Sequence, residues 1–161
     1  MNINIKIEYI PAHKYLGIWE KDAQDYFSFW EKHDCDKITG VINSLAHLEH
    51  PIITANTSGW FWENGQRGYF FGLGVRSDYN GEIPDGFALK AFPDSYYMVF
   101  SHPSFDFLTD CEKVVNGVEE ITWHFDPTTK GYNWNEVNCQ DYQRLFPETI
   151  GYEVLRPITK L

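Results

Sequence analysis

The chain has 161 residues, 43% apolar and 17% aromatic, with 23 acidic against 13 basic side chains and a formal net charge of -10. A chain of this length buries roughly 70% of its unfolded surface as one domain, and its negative surplus repels phosphate backbones and leaves no basic stripe for nucleic acid. No run approaches the ~18 apolar residues of a membrane span, the start Met1-Asn-Ile-Asn-Ile-Lys6 lacks signal-peptide character, and the unpaired spacing of Cys35, Cys111 and Cys139 fits a reduced, cytoplasmic protein.

Ile3, Ile5 and Ile7 alternate with polar residues, the period of a strand; Pro11-Ala12 interrupts it and the run Tyr15 to Trp19 resumes it. Asp22 reads as an N-cap. Beyond it Phe27, Trp30, Ile38, Val41, Ile42, Leu45 and Leu48 recur at helical intervals, with a break expected near His33-Asp34 and closure at Pro51. Ile52 to Trp62 and Gly68 to Val75 predict two strands joined at Asn64-Gly65, a hairpin signal. Asn80-Gly81 and Pro84-Asp85-Gly86 mark a polar loop.

The second half repeats that order. Phe87 to Phe92 and Tyr96 to Ser101 read as short strands, and Asp106 opens a helical stretch carrying Phe107, Cys111, Val114, Val115 and Val118. A turn-rich segment to Gly131 precedes two further strands, near Val137 to Leu145 and Tyr152 to Ile158. We read one α+β domain over 1–161, built of two strand-helix-strand-strand modules in pseudo-twofold arrangement. Module one covers about 1–78 and module two about 84–161. The order favours an antiparallel sheet with helices on one face.

Motifs for chemistry are sparse. No glycine-rich nucleotide or phosphate loop occurs, and His33-x-Cys35 and His47-x-x-His50 stop at two ligands, so neither a cofactor nor a metal is expected. Cys139 has no base placed beside it by His102 or His124, which makes it a small buried residue rather than a nucleophile. Glu63 adjoins Asn64-Gly65 and reads as an exposed turn acid, and nothing in the sequence signals burial of Glu63, Glu136 or Glu153. No residue is assigned a catalytic role.

Four segments carry a resemblance across the chain. They are Ile10-Pro11-Ala12-His13 with Gly17, the aromatic run Gly68 to Val75, Phe92-Pro93 followed by Tyr96 to Phe100, and the closing run from Tyr142 to Gly151-Tyr-Glu-Val-Leu-Arg-Pro157-Ile158. Together they resemble the GyrI-like domain family, the SOUL-related effector-binding domains of AraC-type and multidrug-binding bacterial transcription regulators. The resemblance implies a central cleft that binds amphipathic or cationic aromatic molecules. It also implies that DNA binding belongs to a partner or a longer relative, because the effector-domain pattern uses residues 3 to 158. One position departs from the pattern. Several multidrug-binding members place a buried Glu two residues before the Tyr of the penultimate strand, and here Gln140 stands there with Asp141 beside it. Strand neighbours face opposite ways, so Asp141 does not simply replace that Glu. An uncharged amide weakens the preference for a cation and favours neutral polar aromatics.

Alternation places Trp60 and Trp62 on one face of their strand, and Tyr69 and Phe71 together on the next. These four, with Tyr97, Phe105, Trp134, Gln140 and Tyr142, are the expected ligand-binding residues, although each ring suits packing against its own helix equally well. The first functional reading is a stand-alone small-molecule (effector or drug) binding domain taking a hydrophobic aromatic ligand. A second is a hydrolase of reactive aromatic compounds in the same cleft. A third is an acidic protein-interaction module that inhibits or sequesters a nucleic-acid enzyme, which leaves room for a protein partner.

Overall fold

The computed structural model describes all of residues 1–161. The first half contains β1 (Asn4–Ile10), β2 (His13–Glu20), α1 (Tyr26–Lys32), α2 (Cys35–Ser44), β3 (Ala55–Glu63) and β4 (Gln66–Val75). The second contains β5 (Ala88–Phe92), β6 (Ser95–His102), α3 (Phe107–His124), β7 (Tyr132–Trp134), β8 (Asp141–Phe146) and β9 (Gly151–Lys160). This is the expected α+β architecture: a single antiparallel sheet of nine strands with three helices.

Local chemistry explains most boundaries. Asn64 and Gly65 both have positive φ, 53° and 77°, the geometry a two-residue hairpin turn needs to match strand twist. The helical stretch of the first half divides as expected, because Asp34 caps α2 by accepting the Lys37 N–H at 3.1 Å. Two details differ from the sequence reading. The cap of α1 is Asp25, not Asp22, since only Asp25 has a partner three residues on: it accepts the Ser28 N–H at 2.8 Å while Ser28 reaches back to the Asp25 N–H. Strand β8 starts at Asp141 rather than near Val137, which is 97% exposed. A turn intervenes, in which the Asn135 carbonyl accepts the Asn138 and Cys139 N–H groups.

The strand order is β1-β6-β9-β8-β3-β4-β2-β5, with β7 added beside the end of β9. Exchanging each strand for its counterpart in the other half (β1 with β5, β2 with β6, β3 with β8, β4 with β9) returns the same order read backwards. The sheet therefore repeats about a twofold centred between β3 and β8. The edge strands are exchanged: β1 pairs with β6 over seven residues and β5 with β2 over five, each lying against the other half.

Two apolar layers cover the sheet. The helices contribute Phe29, Ile38, Ile42, Val114 and Val118 to the larger, which takes Trp60, Tyr69, Phe71, Tyr152 and Val154 from the strands. The far face buries Tyr15, Phe70, Tyr97, Val99, Tyr142 and Leu155 under the loop residues Ile53 and Cys139.

Glycine at position 59 fixes the centre. A Cβ there would stand 2.0 Å from the Asp141 carbonyl oxygen and 2.9 Å from Cζ of Phe70, distances no side chain tolerates. Gly59→Ala is expected to destabilise the fold by about 1–3 kcal/mol or more, as overpacking does, in urea unfolding. Gly40→Ala, in α2 where a Cβ meets nothing within 4 Å, should instead stabilise by about 0.5–1 kcal/mol. Equal effects at the two positions would remove the steric account of the centre.

Candidate functional site

The two halves of the sheet meet along β3 and β8, and that ladder is three residue pairs long: Ser58 with Gln143, Gly59 with Tyr142, Trp60 with Asp141. Past it the strands part. Residue Asn56 sits in a bulge with φ 63°, a conformation Asn tolerates, and its amide donates to Asn43 Oδ1 of α2 at 2.9 Å. The parting leaves a cavity of about 990 Å³ between Ala55 to Ser58 on one side and Gln143 to Phe146 on the other. Helix side chains Tyr26 and Trp30 stand over Phe71 to form its aromatic wall, with Trp30 4.9 Å from Phe71 edge-on.

The floor and mouth are polar. At the floor, the Tyr69 hydroxyl lies 2.8 Å from the Ser58 hydroxyl and donates to Gln143 Oε1 at 2.6 Å, while Gln143 Nε2 donates to the Tyr152 hydroxyl at 3.3 Å. At the mouth, Glu153 pairs with Lys6 at 3.2 Å and with Arg144 at 3.4 Å, and Arg144 forks onto both oxygens of Glu8 at 3.1 and 2.7 Å. Glu153 is buried, which the sequence did not signal.

Two acids lie behind this floor. Burial pushes Glu119 of α3 up to about 7, against the pull of Arg67 and a hydrogen bond with Tyr152. Asp141 is fully buried, and burial drives its carboxyl well above the ordinary range, helped by the neighbouring Glu136. Trp62 Nε1–H donates to Asp141 Oδ2 at 3.0 Å, whereas Oδ1 receives nothing. An unserved oxygen beside another carboxylate is explained if Asp141 keeps its proton and donates it to Glu136. Burial also raises Glu136, but the hydrogen bonds from Asp141 and from Arg156, at 3.1 and 2.8 Å, outweigh it and hold Glu136 below its usual value. Arg156 is in turn stacked over Trp134 at 3.8 Å.

On the far face a separate network joins His13, Tyr142, Gln140 and Tyr97, with Gln140 Oε1 buried and unpartnered. His13 Nδ1–H donates to the Pro11 carbonyl at 2.9 Å, so its Nε2 accepts the Tyr142 hydroxyl at 2.6 Å, and the Gln140 amide donates to that same hydroxyl. Burial lowers the His13 pKa, consistent with a neutral ring. The Tyr97 hydroxyl donates to the Gln140 carbonyl at 3.2 Å.

The nine residues expected from the sequence are thus divided. Trp60, Trp62, Tyr69, Phe71, Phe105 and Trp134 belong to the helix side, while Tyr97, Gln140 and Tyr142 lie on the far side. Only Phe71 lines the cavity. Tyr69 forms hydrogen bonds with Ser58 and Gln143 of its lining, Phe105 lines a neighbouring groove, and buried Trp60 donates its indole N–H to the Gln24 carbonyl at 2.9 Å. Sequence reasoning missed Tyr26, Trp30, Gln143 and Arg144. Tyr26 and Trp30 are four apart on one helix, a spacing that marks a shared face.

A carboxyl with a raised pKa keeps its proton when folded and has lost it when unfolded, so stability falls as pH rises between the two values. Glu119 places one such loss between about 4.5 and about 7, and Asp141 adds one that begins near 3.8. Urea midpoints measured against pH should therefore fall less steeply from pH 4.5 to 7 in Glu119→Gln. Asp141→Asn, whose amide can still donate to Glu136, should gain on the wild type progressively above about pH 4. Parallel curves for wild type and both variants would refute these protonation states.

No family model and no curated protein matches the sequence. Solved structures do match in fold. SAV2435 bound to tetraphenylphosphonium aligns with a TM-score of 0.63 at 15% identity, over 97% of this chain and 94% of that one. The EcmrR C-terminal domain aligns with a TM-score of 0.56 at 12% identity over the whole of both chains. EcmrR in its DNA complex aligns with a TM-score of 0.52 at 10% identity over 99% of this chain, which spans 58% of that longer one. The chain therefore shares the overall fold of SAV2435 and of the EcmrR C-terminal domain.

Proposed function

We propose that this chain is a small-molecule-binding effector domain of the transcription-regulator type, which takes a hydrophobic aromatic ligand in the cavity between β3 and β8. The observation that carries the reading is the cavity itself: about 990 Å³, at the junction of the two halves, with Tyr26, Trp30 and Phe71 as an aromatic wall over hydrogen-bonding Ser58 and Gln143. That is the size of a drug-like ligand site, and nine of its nineteen lining residues are hydrophobic, set among polar groups able to fix orientation. SAV2435, which shares the fold, was solved with tetraphenylphosphonium bound.

The charges of the cavity favour a neutral ligand. Its lining includes Lys6 and Arg144 against Glu153, whose carboxylate already holds both cations. No free carboxylate is left for a ligand cation, so shape and ring stacking decide affinity. Of the residues expected from sequence, Phe71 contacts the ligand and Tyr69 orients Gln143 beneath it. Trp60, Trp62 and Trp134 shape the wall behind, and Tyr97, Gln140 and Tyr142 brace the sheet from its far side.

Tryptophan fluorescence tests this with tetraphenylphosphonium and the neutral triphenylphosphine oxide. The oxide should quench at micromolar concentration and bind at least as tightly as the cation. Trp30→Ala and Tyr26→Ala should each weaken binding about tenfold, the value of one lost stacking partner. Tyr142→Phe should leave it unchanged. Loss of binding with Tyr142→Phe but not with Trp30→Ala would move the site to the far face and end this assignment.

A further inference from the structure

A second groove of about 850 Å³ lies beside the cavity along the first turn of α3, and Leu145 and Phe146 line both. The groove is lined by Phe105, Phe107 and Leu108, and it leaves unusually large apolar groups in water: Leu108 is 92% exposed, and Phe107 and Phe146 about half. Isolated exposed apolar residues are ordinary, but neighbours gathered around one groove mark a binding surface.

We propose that cavity and groove form one site whose ligand is an elongated amphiphile, with an aromatic head against the wall of Tyr26, Trp30 and Phe71 and an aliphatic tail along Phe105, Phe107 and Leu108. The proposal rests on the aromatic cavity being the ligand site. Because Leu145 and Phe146 border both spaces, the tail of that ligand is the occupant the groove suits. A second copy of the chain suits the groove poorly: its rim carries Asp106 and Glu148, and a symmetric contact would bring those acids and two net charges of -10 together. The floor groups Ser58 and Gln143 match a head with one hydroxyl, such as a phenol.

A series of 4-alkylphenols from ethyl to octyl, titrated against the full chain by tryptophan fluorescence, tests the inference beside triphenylphosphine oxide. Affinity should rise by up to about fourfold per methylene once the tail reaches the groove. Leu108→Ser and Phe107→Ser, both at exposed positions, should flatten that rise while leaving triphenylphosphine oxide binding unchanged. If the oxide binds and chain length has no effect, or the same rise persists in both variants, the tail site is refuted and the cavity reading stands. If neither the oxide nor any alkylphenol binds, both fail together. Dimerisation in sedimentation experiments that Leu108→Ser abolishes would assign the groove to a second copy instead.

Discussion

The rest of the structure depends on the close approach of β3 to β8 at Gly59. The backbone there lies against the Asp141 carbonyl with no room for a side chain, and the central ladder is three pairs long. So short a seam could not hold two halves of a sheet together on its own. The exchanged outer strands do that, with seven pairs between β1 and β6 and five between β2 and β5. Because the edges lock the halves, the centre is free to part beyond Ser58 and Gln143 without opening the sheet. The cavity is the consequence of a brief central contact held between two longer ones.

The same seam decides where charge is buried. Asp141 pairs with Trp60 on β3, which directs its side chain under Trp62 and towards Arg156, away from water. Burying two acids and one guanidinium is tolerable only if their charges sum to zero. A proton kept on Asp141, a charged Glu136 and a charged Arg156 meet that condition. At the cavity mouth Lys6 and Arg144 stand against Glu8 and Glu153 with the same result. The chain's excess of acidic over basic residues is therefore carried by the remaining surface rather than by these buried groups.

Most of the fold was legible from local signals. Alternation placed Tyr69 and Phe71 opposite Phe70, the Asn64-Gly65 turn fixed one hairpin, and Asp106 marked the start of α3 as its N-cap. The cavity lining was less legible for a physical reason. Alternation within one strand sets which residues share a face, but it does not say which face of one strand matches which face of another. That depends on register between strands distant in sequence, here Gly59 opposite Tyr142. Hence Tyr142 and Gln140 were grouped with Trp60 although the sheet separates them. The exchange of β1 and β5 and the burial of Glu153 are likewise products of long-range pairing, with no local signature. Asp141 was recognised as pointing away from Gln140, yet only the packing of Trp62 and Glu136 around it reveals that it keeps a proton.

That separation sharpens the question of ligand charge. Gln140 occupies the position where the family resemblance leads one to expect a carboxylate, but its amide nitrogen donates to the Tyr142 hydroxyl on the sheet face opposite the aromatic wall. The acids nearer the cavity are accounted for too: Glu153 holds two cations, burial raises the Glu119 pKa to about 7, and Asp141 lies buried against Glu136. A cationic ligand would have to break one of these arrangements to gain a counter-charge, and it would leave a lysine or an arginine unpaired at the mouth in exchange. A neutral aromatic ligand has no such requirement. It packs against the wall of Tyr26, Trp30 and Phe71 and finds hydrogen-bonding groups in Ser58 and Gln143 without disturbing any ion pair. On the proposed reading, selection by this domain is therefore by shape and apolar area, with electrostatics serving to hold the mouth of the cavity rather than to choose what enters it.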